Sequence, residues 1–336
     1  MELSTLNLGD FIKNAAILFL KGADSVAQMA RTSGMFRVET VPQNTGNTRE
    51  YSEIDLEQYA RKKGQGDQTQ RAKVQQGYTK VASLKRIGME IGITYEMRTQ
   101  NKYTEVVARL TNLGMLPTRR IELDMVHRLT FGTAGSYVDM DGDTVDTSMG
   151  DGLSLFHTAH TVRGAASTYR NRLAGNAAFS KSALEGMEKL VVEETINQFG
   201  EKMTMPFDII WSSDDPNTVN TIMTELNSTA STTVQLNQGV VNVNRGKYKH
   251  VIFPLLATDA FGNKNSAKAT YWGLASSMFT SAYLGMHEEP RLKSPSEGSN
   301  AEEFSTDDWN FGTRAGYFVC IVSGNWIKMS SGDGAP

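Results

Sequence analysis

Two histidines near the middle of the chain have a spacing that could support chemistry. His157 and His160 are three residues apart, so on a helix both rings would share one face and could hold a metal ion. The sequence offers no third ligand at a familiar distance, and it lacks the glutamate of a His-Glu-x-x-His motif. We therefore predict no metal site here, and we expect the ring nitrogens to hydrogen-bond to loop backbone.

An acidic loop just before the histidines matches a calcium-binding loop only in part. Asp139, Asp141 and Asp143 alternate as the first ligands of such a loop do. The sixth position of that pattern should be glycine and is Thr144, and the twelfth should be glutamate and is Gly150. We predict a solvated loop that binds no metal.

The rest of the sequence contains no recognisable catalytic motif. A glycine-rich phosphate loop, a Walker pattern and a Gly-x-Ser-x-Gly nucleophile elbow are all missing. The single cysteine, Cys320, lies in the apolar run 317–322 without a partner that would stabilise a thiolate, so we interpret it as a small buried residue. We predict that the chain is not an enzyme and has no catalytic or cofactor-binding residues.

Composition excludes several other classes of protein. A length of 336 residues allows one large domain or two ordinary ones, and a net charge of −3 gives no strong attraction to nucleic acid or membranes. The apolar run 15–20 is far shorter than the roughly 20 residues that a transmembrane helix needs. Acidic Glu2 and Asp10 argue against a secretory signal, and one cysteine fits synthesis in a reducing compartment.

The longest helical pattern, residues 95–131, is the element around which the chain is organised. Apolar residues recur in it at intervals of three and four. Gly114 and Pro117 interrupt the middle, so the pattern predicts either a kinked helix or two consecutive helices, the second with Pro117 in its first turn.

Before this helix, the sequence predicts a terminal amphipathic helix and a long polar excursion. The helix lies within residues 1–33 and must pack on its own chain or on a neighbour. Strand patterns at 36–41, 78–81 and 87–94 bracket residues 43–76, which contain few apolar side chains. We interpret this part as an extended hairpin that projects from the body and is covered by a partner subunit, because it has no core of its own.

After the long helix, the sequence predicts an α/β body. A helix at 180–199 is capped by Ser180, and a second helix begins with Asp215 as its cap and Pro216 in its first turn. The predicted strands are 207–211, 240–243, 250–253, 270–274 and 317–322.

This order of elements resembles the Hong Kong ninety-seven fold of tailed-phage major capsid proteins, and more closely the major head subunits of Mu-like phages. The segments that carry the resemblance are 85–96, which enters the long helix, 151–160 with its Leu-Phe-His-Thr-Ala-His run, and 306–318, which begins the closing strand. The resemblance implies an α+β chain with an N-terminal arm (1–33), an extended loop (34–94), a peripheral domain with a spine helix (95–150 and 276–336) and an axial α/β domain (151–275).

The resemblance also implies a function and a set of partners. Pentamers and hexamers of the chain would close an icosahedral shell around the double-stranded DNA of a tailed bacteriophage, without sequence-specific DNA contacts and without a membrane. Portal and scaffolding proteins would be further partners, with decoration proteins as an additional candidate. No scaffold-like segment precedes residue 1, so we expect a separate scaffolding protein or none. The protein would be made in the host cytoplasm and end in the virion.

The basic residues of the extended loop are the candidate contact residues for a neighbouring subunit. We predict that they pair with acidic groups of that neighbour. They are Arg61, Lys62, Lys63, Arg71 and Lys73.

Three alternatives to a phage head stay open at this point. An encapsulin-like compartment shares the fold and would hold a cargo enzyme instead of DNA. A soluble α/β enzyme with an unrecognised site would be a monomer or small oligomer. A tail or baseplate protein is a third structural role.

Overall fold

Two larger sheets, three two-stranded pairs and six α-helices lie in the part of the chain that the computed structural model describes, residues 8–42, 46–100, 102–230, 241–294 and 307–334. The helices are Leu8–Asp24 (α1), Met29–Thr32 (α2), Tyr95–Thr99 (α3), Tyr103–Thr130 (α4), Lys181–Glu194 (α5) and Pro216–Asn227 (α6). Residues 1–7 of the expected N-terminal arm lie outside the described residues, as does residue 240 of the expected strand 240–243.

The first sheet joins distant parts of the chain. Its strands are Arg37–Thr40 (β1), Lys85–Ile87 (β4), Glu90–Ile93 (β5), Ala282–Lys293 (β13) and Trp309–Ile321 (β14). Their order is β1-β13-β14-β4, and β5 also pairs with β14. Because β13 has 12 residues and β14 has 13, they form the axis to which the short strands from the first third of the chain attach.

The second sheet belongs to the body and receives the C-terminal strand. It has the order β11-β10-β12-β15, and its strands are Ile209–Ser212 (β10), Lys249–Ile252 (β11), Trp272–Ala275 (β12) and Ile327–Ser330 (β15). One apolar core touches both sheets, with Trp211 and Ile327 from the second sheet, Tyr317 from the first and Met125 from α4. The body therefore shares its core with the long helix.

Three two-stranded pairs complete the strands of the described chain. They are Thr48–Leu56 (β2) with Val74–Ser83 (β3), Ser136–Val138 (β6) with Thr144–Asp146 (β7), and His160–Thr161 (β8) with Thr168–Tyr169 (β9).

Local sequence signals place the starts of both body helices correctly, but α5 ends at Glu194, before the predicted end at 199, because residues 197–201 form a turn. Ser180 Oγ accepts a hydrogen bond from the Ala183 amide at 3.2 Å and caps α5. Asp215 accepts from the Thr218 amide at 3.0 Å, with Pro216 as the first residue of α6. The strand predicted at 240–243 is wrong in the part that the structure describes, where Val241 makes only an isolated bridge to Ala230.

The long helix is continuous where the sequence predicted either a kink or the start of a second helix. α4 runs through both Gly114 and Pro117, and the break lies earlier, between Thr99 and Tyr103. Proline removes one backbone hydrogen bond. Burial of Leu113 before it and Ile121 after it keeps the helix continuous, because both side chains are anchored in the core.

The N-terminal helix α1 packs closely on α4 of the same chain. Phe11, Ala15 and Phe19 form its buried stripe. A Cβ atom on Gly22 or on Gly114 would lie 2.0 Å from a backbone oxygen of the opposite helix, so glycine at these two positions permits the close approach. A buried carboxylate joins the next helix to α4: Glu122 of α4 accepts the amide of Ala30 in the first turn of α2.

The hairpin has a different pairing from the predicted one. Its strands are β2 and β3, and β2 lies inside the segment that the sequence suggested was uniformly polar. Of the three strands expected to bracket the hairpin, the one at 78–81 lies within β3, whereas β1 and β4–β5 instead pair with β13 and β14 in the first sheet. The hairpin, residues 48–83, therefore leaves and re-enters the body at the first sheet.

Candidate functional site

Both histidine rings contact loop backbone, as predicted, although the two residues do not lie on a helix. His157 Nδ1 accepts from the Ala159 amide at 3.1 Å. The fully buried His160 ring contacts the Leu155 carbonyl through Nε2 at 3.1 Å and the Asp151 carboxylate through Nδ1 at 2.8 Å. Burial alone would raise the pKa of Asp151, but the contact with His160 holds that pKa below its usual value. Within the described residues, no three metal-ligating side chains cluster.

The acidic loop is one of three copies of the same turn. The turns span 139–143, 197–201 and 259–263, and in each the first side chain accepts the amides of the third and fifth residues at 2.8–3.0 Å. The fourth residue is glycine with φ between 77° and 85°, a conformation that glycine adopts without steric cost. The pattern [Asp/Asn]-x-x-Gly-x thus encodes backbone geometry here.

Two cations of the protein itself lie against the acidic loop. Arg120 of α4 is 2.9 Å from Asp139 and 2.8 Å from Asp141, and Lys85 of β4 contacts the same two carboxylates. Arg120 also pairs with Asp124 at 3.0 Å. We call these five residues the charge cluster. It joins the base of the hairpin, the long helix and the loop, and its two cations offset part of the loop's negative charge.

The charge cluster lines a groove of about 1170 Å³ between the base of the hairpin, α4 and the acidic loop. Cys320 also lines this groove, but burial raises the pKa of its thiol, which disfavours the reactive thiolate. Within the groove, Lys85 and Arg120 are paired with the carboxylates of the charge cluster.

A serine–histidine contact in the second sheet is also structural. Ser212 Oγ and His250 Nε2 are 2.8 Å apart, and Ser212 donates to the Ser213 carbonyl. Ser212 is fully buried, and His250 Nδ1 has no hydrogen-bond partner among the described residues. A catalytic histidine requires an accessible nucleophile and an orienting group, and this pair has neither.

The hairpin has its apolar side chains on the solvent side. Ile54, Leu56, Val74 and Val81 are 57–65% exposed, and the pairing of Leu56 with Val74 puts these two side chains directly opposite each other. We call these four residues the outer face. An exposed apolar face on a two-stranded element is the opposite of the usual arrangement, in which the apolar side covers the core.

The other side of the hairpin contacts its own body through polar groups. Gln198, only 4% exposed, donates its backbone amide to Asp55 and its side-chain amide to Glu53, both at 2.9 Å, and accepts the Arg163 amide at 3.0 Å. We call Glu53, Asp55, Arg163 and Gln198 the seam. Gly77 makes room for it, because a Cβ there would lie 2.9 Å from Glu53 and Gln198.

The base of the hairpin packs on the body through apolar side chains. Tyr51 stacks on Tyr283 at 4.3 Å, and Ala82 packs with Phe318 and Cys320 in a small core. The hairpin is therefore fixed at its base and held by hydrogen bonds further out.

The five predicted contact residues lie together in the tip of the hairpin, residues 57–73, between β2 and β3. Arg61 pairs with Glu57, and Lys63 contacts Thr69 at 3.1 Å. Lys62 and Arg71 make no hydrogen bond or ion pair with other described residues. Lys73 uses its backbone amide to contact Glu57. The structure brings the basic groups into one exposed loop, and their pairing with a neighbour stays a prediction.

Sequence reasoning missed the outer face and the seam. The alternation Ser52, Ile54 and Leu56 against Tyr51, Glu53 and Asp55 was a usable strand signal, but the polar surroundings obscured it. Gln198 had no sequence signal apart from its position in the turn 197–201.

Comparison with known proteins gives structural matches. No family model and no curated protein matches the chain. The structure is similar to the capsid of the cyanophage P-SCSP1u, with a TM-score of 0.50 and 10% identity over 88% of this chain and 85% of that one. A virus-like particle from Pyrococcus furiosus also matches, with a TM-score of 0.49 and 10% identity over 95% of this chain and 98% of that one.

The likeness establishes the fold. The chain has the Hong Kong ninety-seven fold of phage capsid proteins, which confirms the α+β class and the fold expected from the sequence. Within the described residues, no helix combines the length and apolar character needed to cross a bilayer.

Proposed function

We propose that the chain is a major capsid protein, which assembles as pentamers and hexamers into the icosahedral head of a tailed bacteriophage. The observation that carries this proposal is the outer face on a chain with the capsid fold. Four large apolar side chains exposed on one side of a hairpin are unfavourable in water. A second copy of the chain, repeated around a closed ring, would cover them.

The proposed partners follow from the shell. Its contents are double-stranded DNA held without sequence specificity, and a net charge of −3 suits a container that must not bind many phosphates tightly. Portal and scaffolding proteins, with decoration proteins as an additional candidate, complete the head. The protein would be made in the cytoplasm of the host bacterium and reach its final place in the virion.

The tip of the hairpin is the proposed electrostatic contact. Residues 57–73 carry five basic and two acidic side chains, so the tip is suited to an acidic surface on the neighbouring subunit. Lys62 and Arg71, which make no contact within the described chain, are the most available members.

The test is the assembly state of the purified chain. We expect closed shells, or rings of five and six subunits, by negative-stain electron microscopy with light scattering. Shells that contain nucleic acid would support a phage head, whereas shells filled with protein alone would indicate an encapsulin-like compartment. A compact monomer or dimer at every salt and protein concentration would contradict the proposal.

A pair of variants tests the outer face itself. Leu56→Asp places a charge at a site that is 58% exposed in the single chain, so the fold should persist while assembly is lost. Leu56→Met keeps the apolar surface and should assemble like the parent. Normal shells from Leu56→Asp would show that this face is not buried between subunits.

A further inference from the structure

The seam contains more acidic groups than its surroundings neutralise. Glu53 and Asp55 of β2 face the same glutamine, and Asp151 lies close enough to interact with Glu53 electrostatically. Ser323 makes a side-chain hydrogen bond to Glu53 that lowers the pKa of this carboxyl, and Tyr169 also lies near it. Of the charged neighbours, Asp151 is paired with His160 at 2.8 Å, and the Arg163 guanidinium donates to the Gly77 carbonyl at 3.2 Å. No described lysine or arginine forms an ion pair with Glu53.

The hairpin geometry permits its outer part to move while its base stays fixed. The pairing of β2 with β3 shifts register between Ser52 and Ile54, opposite Gly77 and Tyr78. Such a bulge is a natural point of bending. Beyond it, the contacts with the body are polar, and they include the Gln58 amide donating to Glu201 at 3.2 Å. Before it, the Tyr51–Tyr283 stack holds the hairpin on the first sheet.

We propose that the seam is a proton-controlled switch, in which protonated Glu53 holds the hairpin on its own subunit and ionised Glu53 releases it. Ionisation places a second negative charge beside Asp55, and no lysine or arginine of the described chain pairs with Glu53 to compensate it. When the hairpin lifts, Glu53 regains water and the repulsion ends. The switch belongs to the single chain and does not depend on assembly.

The direction of the pH effect follows from the acid involved. Burial, with smaller contributions from Asp55 and Asp151, raises the pKa of Glu53 from 4.5 to about 7 in the docked hairpin. The docked form therefore binds the proton more tightly than the released form. Docking is strongest below about pH 4.5, weakens as pH rises toward about 7, and changes little above that.

The experiment measures opening of the seam by amide hydrogen exchange with mass spectrometry on the full chain. The Gln198 amide, bonded to Asp55, becomes exposed only when the hairpin lifts. After correction for intrinsic exchange, its opening constant should rise about a hundredfold between about pH 5 and pH 8. Peptides from the buried stripe of α5 serve as an internal reference for global unfolding.

Two neutralising variants on the same strand separate the switch from a general charge effect. Glu53→Gln keeps the hydrogen-bonding shape without the charge, so its opening constant should be low and independent of pH. Glu50→Gln removes an exposed carboxylate of β2 and should keep the full pH response. Opening that is equal at both pH values in the parent, or that rises equally in Glu53→Gln, would overturn the proposal.

Discussion

Arg120 is the residue on which the charge cluster depends most. Its guanidinium contacts three carboxylates, those of Asp124, Asp139 and Asp141, and its side chain is only 12% exposed. Arg120→Met leaves these acids without their main counter-charge, so we expect the free energy of unfolding to fall by about 3 kcal/mol. Urea denaturation followed by tryptophan fluorescence measures the change.

A neighbouring arginine provides the control for this prediction. Arg119 is exposed and makes no hydrogen bond or ion pair with other described residues. Arg119→Met should change the unfolding free energy by no more than about 0.5 kcal/mol. Equal effects of the two substitutions would mean that the cluster is not a net source of stability.

Lys328 makes stability depend on pH at the alkaline end. This fully buried side chain donates to the Arg170 carbonyl at 3.0 Å, and burial lowers its pKa from 10.5 to about 7. Between these two pH values the unfolded chain binds the additional proton, so stability should rise with pH over this range.

Substitution of Lys328 tests this dependence. Lys328→Met removes the titrating group, so its plot of melting temperature against pH should be flatter between about pH 7 and pH 10 than that of the parent. Lys189→Met, at a site 72% exposed, should leave the slope unchanged. A slope retained in Lys328→Met would assign the effect to other groups.

At the scale of elements, the crossing of α1 and α4 depends on glycine. An added methyl group at Gly114 would meet the Phe19 carbonyl of α1 at 2.0 Å, so Gly114→Ala must push the helices apart. We expect a loss of about 2 kcal/mol in unfolding free energy, measured by chemical denaturation.

Substitution of a second helical glycine by alanine should raise the unfolding free energy instead of lowering it. Gly186 of α5 has its nearest neighbour, Leu173, at an ordinary 3.8 Å. Gly186→Ala should therefore stabilise the chain by about 0.5–1 kcal/mol, because alanine loses less backbone entropy in a helix. The two substitutions are chemically identical, so a shared sign would show that close packing does not decide the outcome.

At the scale of the whole molecule, the tip of the hairpin should make assembly sensitive to charge and salt. Lys62→Glu reverses a charge that has no partner within the described chain. We expect a lower yield of shells from this variant, and a parent yield that falls as salt rises, because exposed charges are screened over about 8 Å at physiological ionic strength. Light scattering during assembly measures both effects.

Lys189→Glu is the matched reversal on the body of the chain. It makes the same change in charge at an exposed site on α5. Its assembly should be close to that of the parent if the tip is the electrostatic contact. An unchanged yield from Lys62→Glu would remove the tip from the proposed interface.

The sequence by itself determined the features that depend on neighbouring residues. The caps at Ser180 and Asp215 act within one turn of helix, so residue type and spacing were sufficient to place the starts of α5 and α6. The order of elements was sufficient for the fold. The expectation that the histidine rings hydrogen-bond to loop backbone was also correct.

Only the tertiary structure decided the pairings between distant segments. The hairpin forms because β2 pairs with β3, while β1, β4 and β5 pair with strands of the first sheet. Short-range sequence patterns do not encode these contacts between distant segments. The charge cluster, the seam and the outer face all follow from that pairing. A one-residue change of register would exchange the two faces of a strand, so polarity alone could not show that Leu56 faces solvent and Glu53 faces the body.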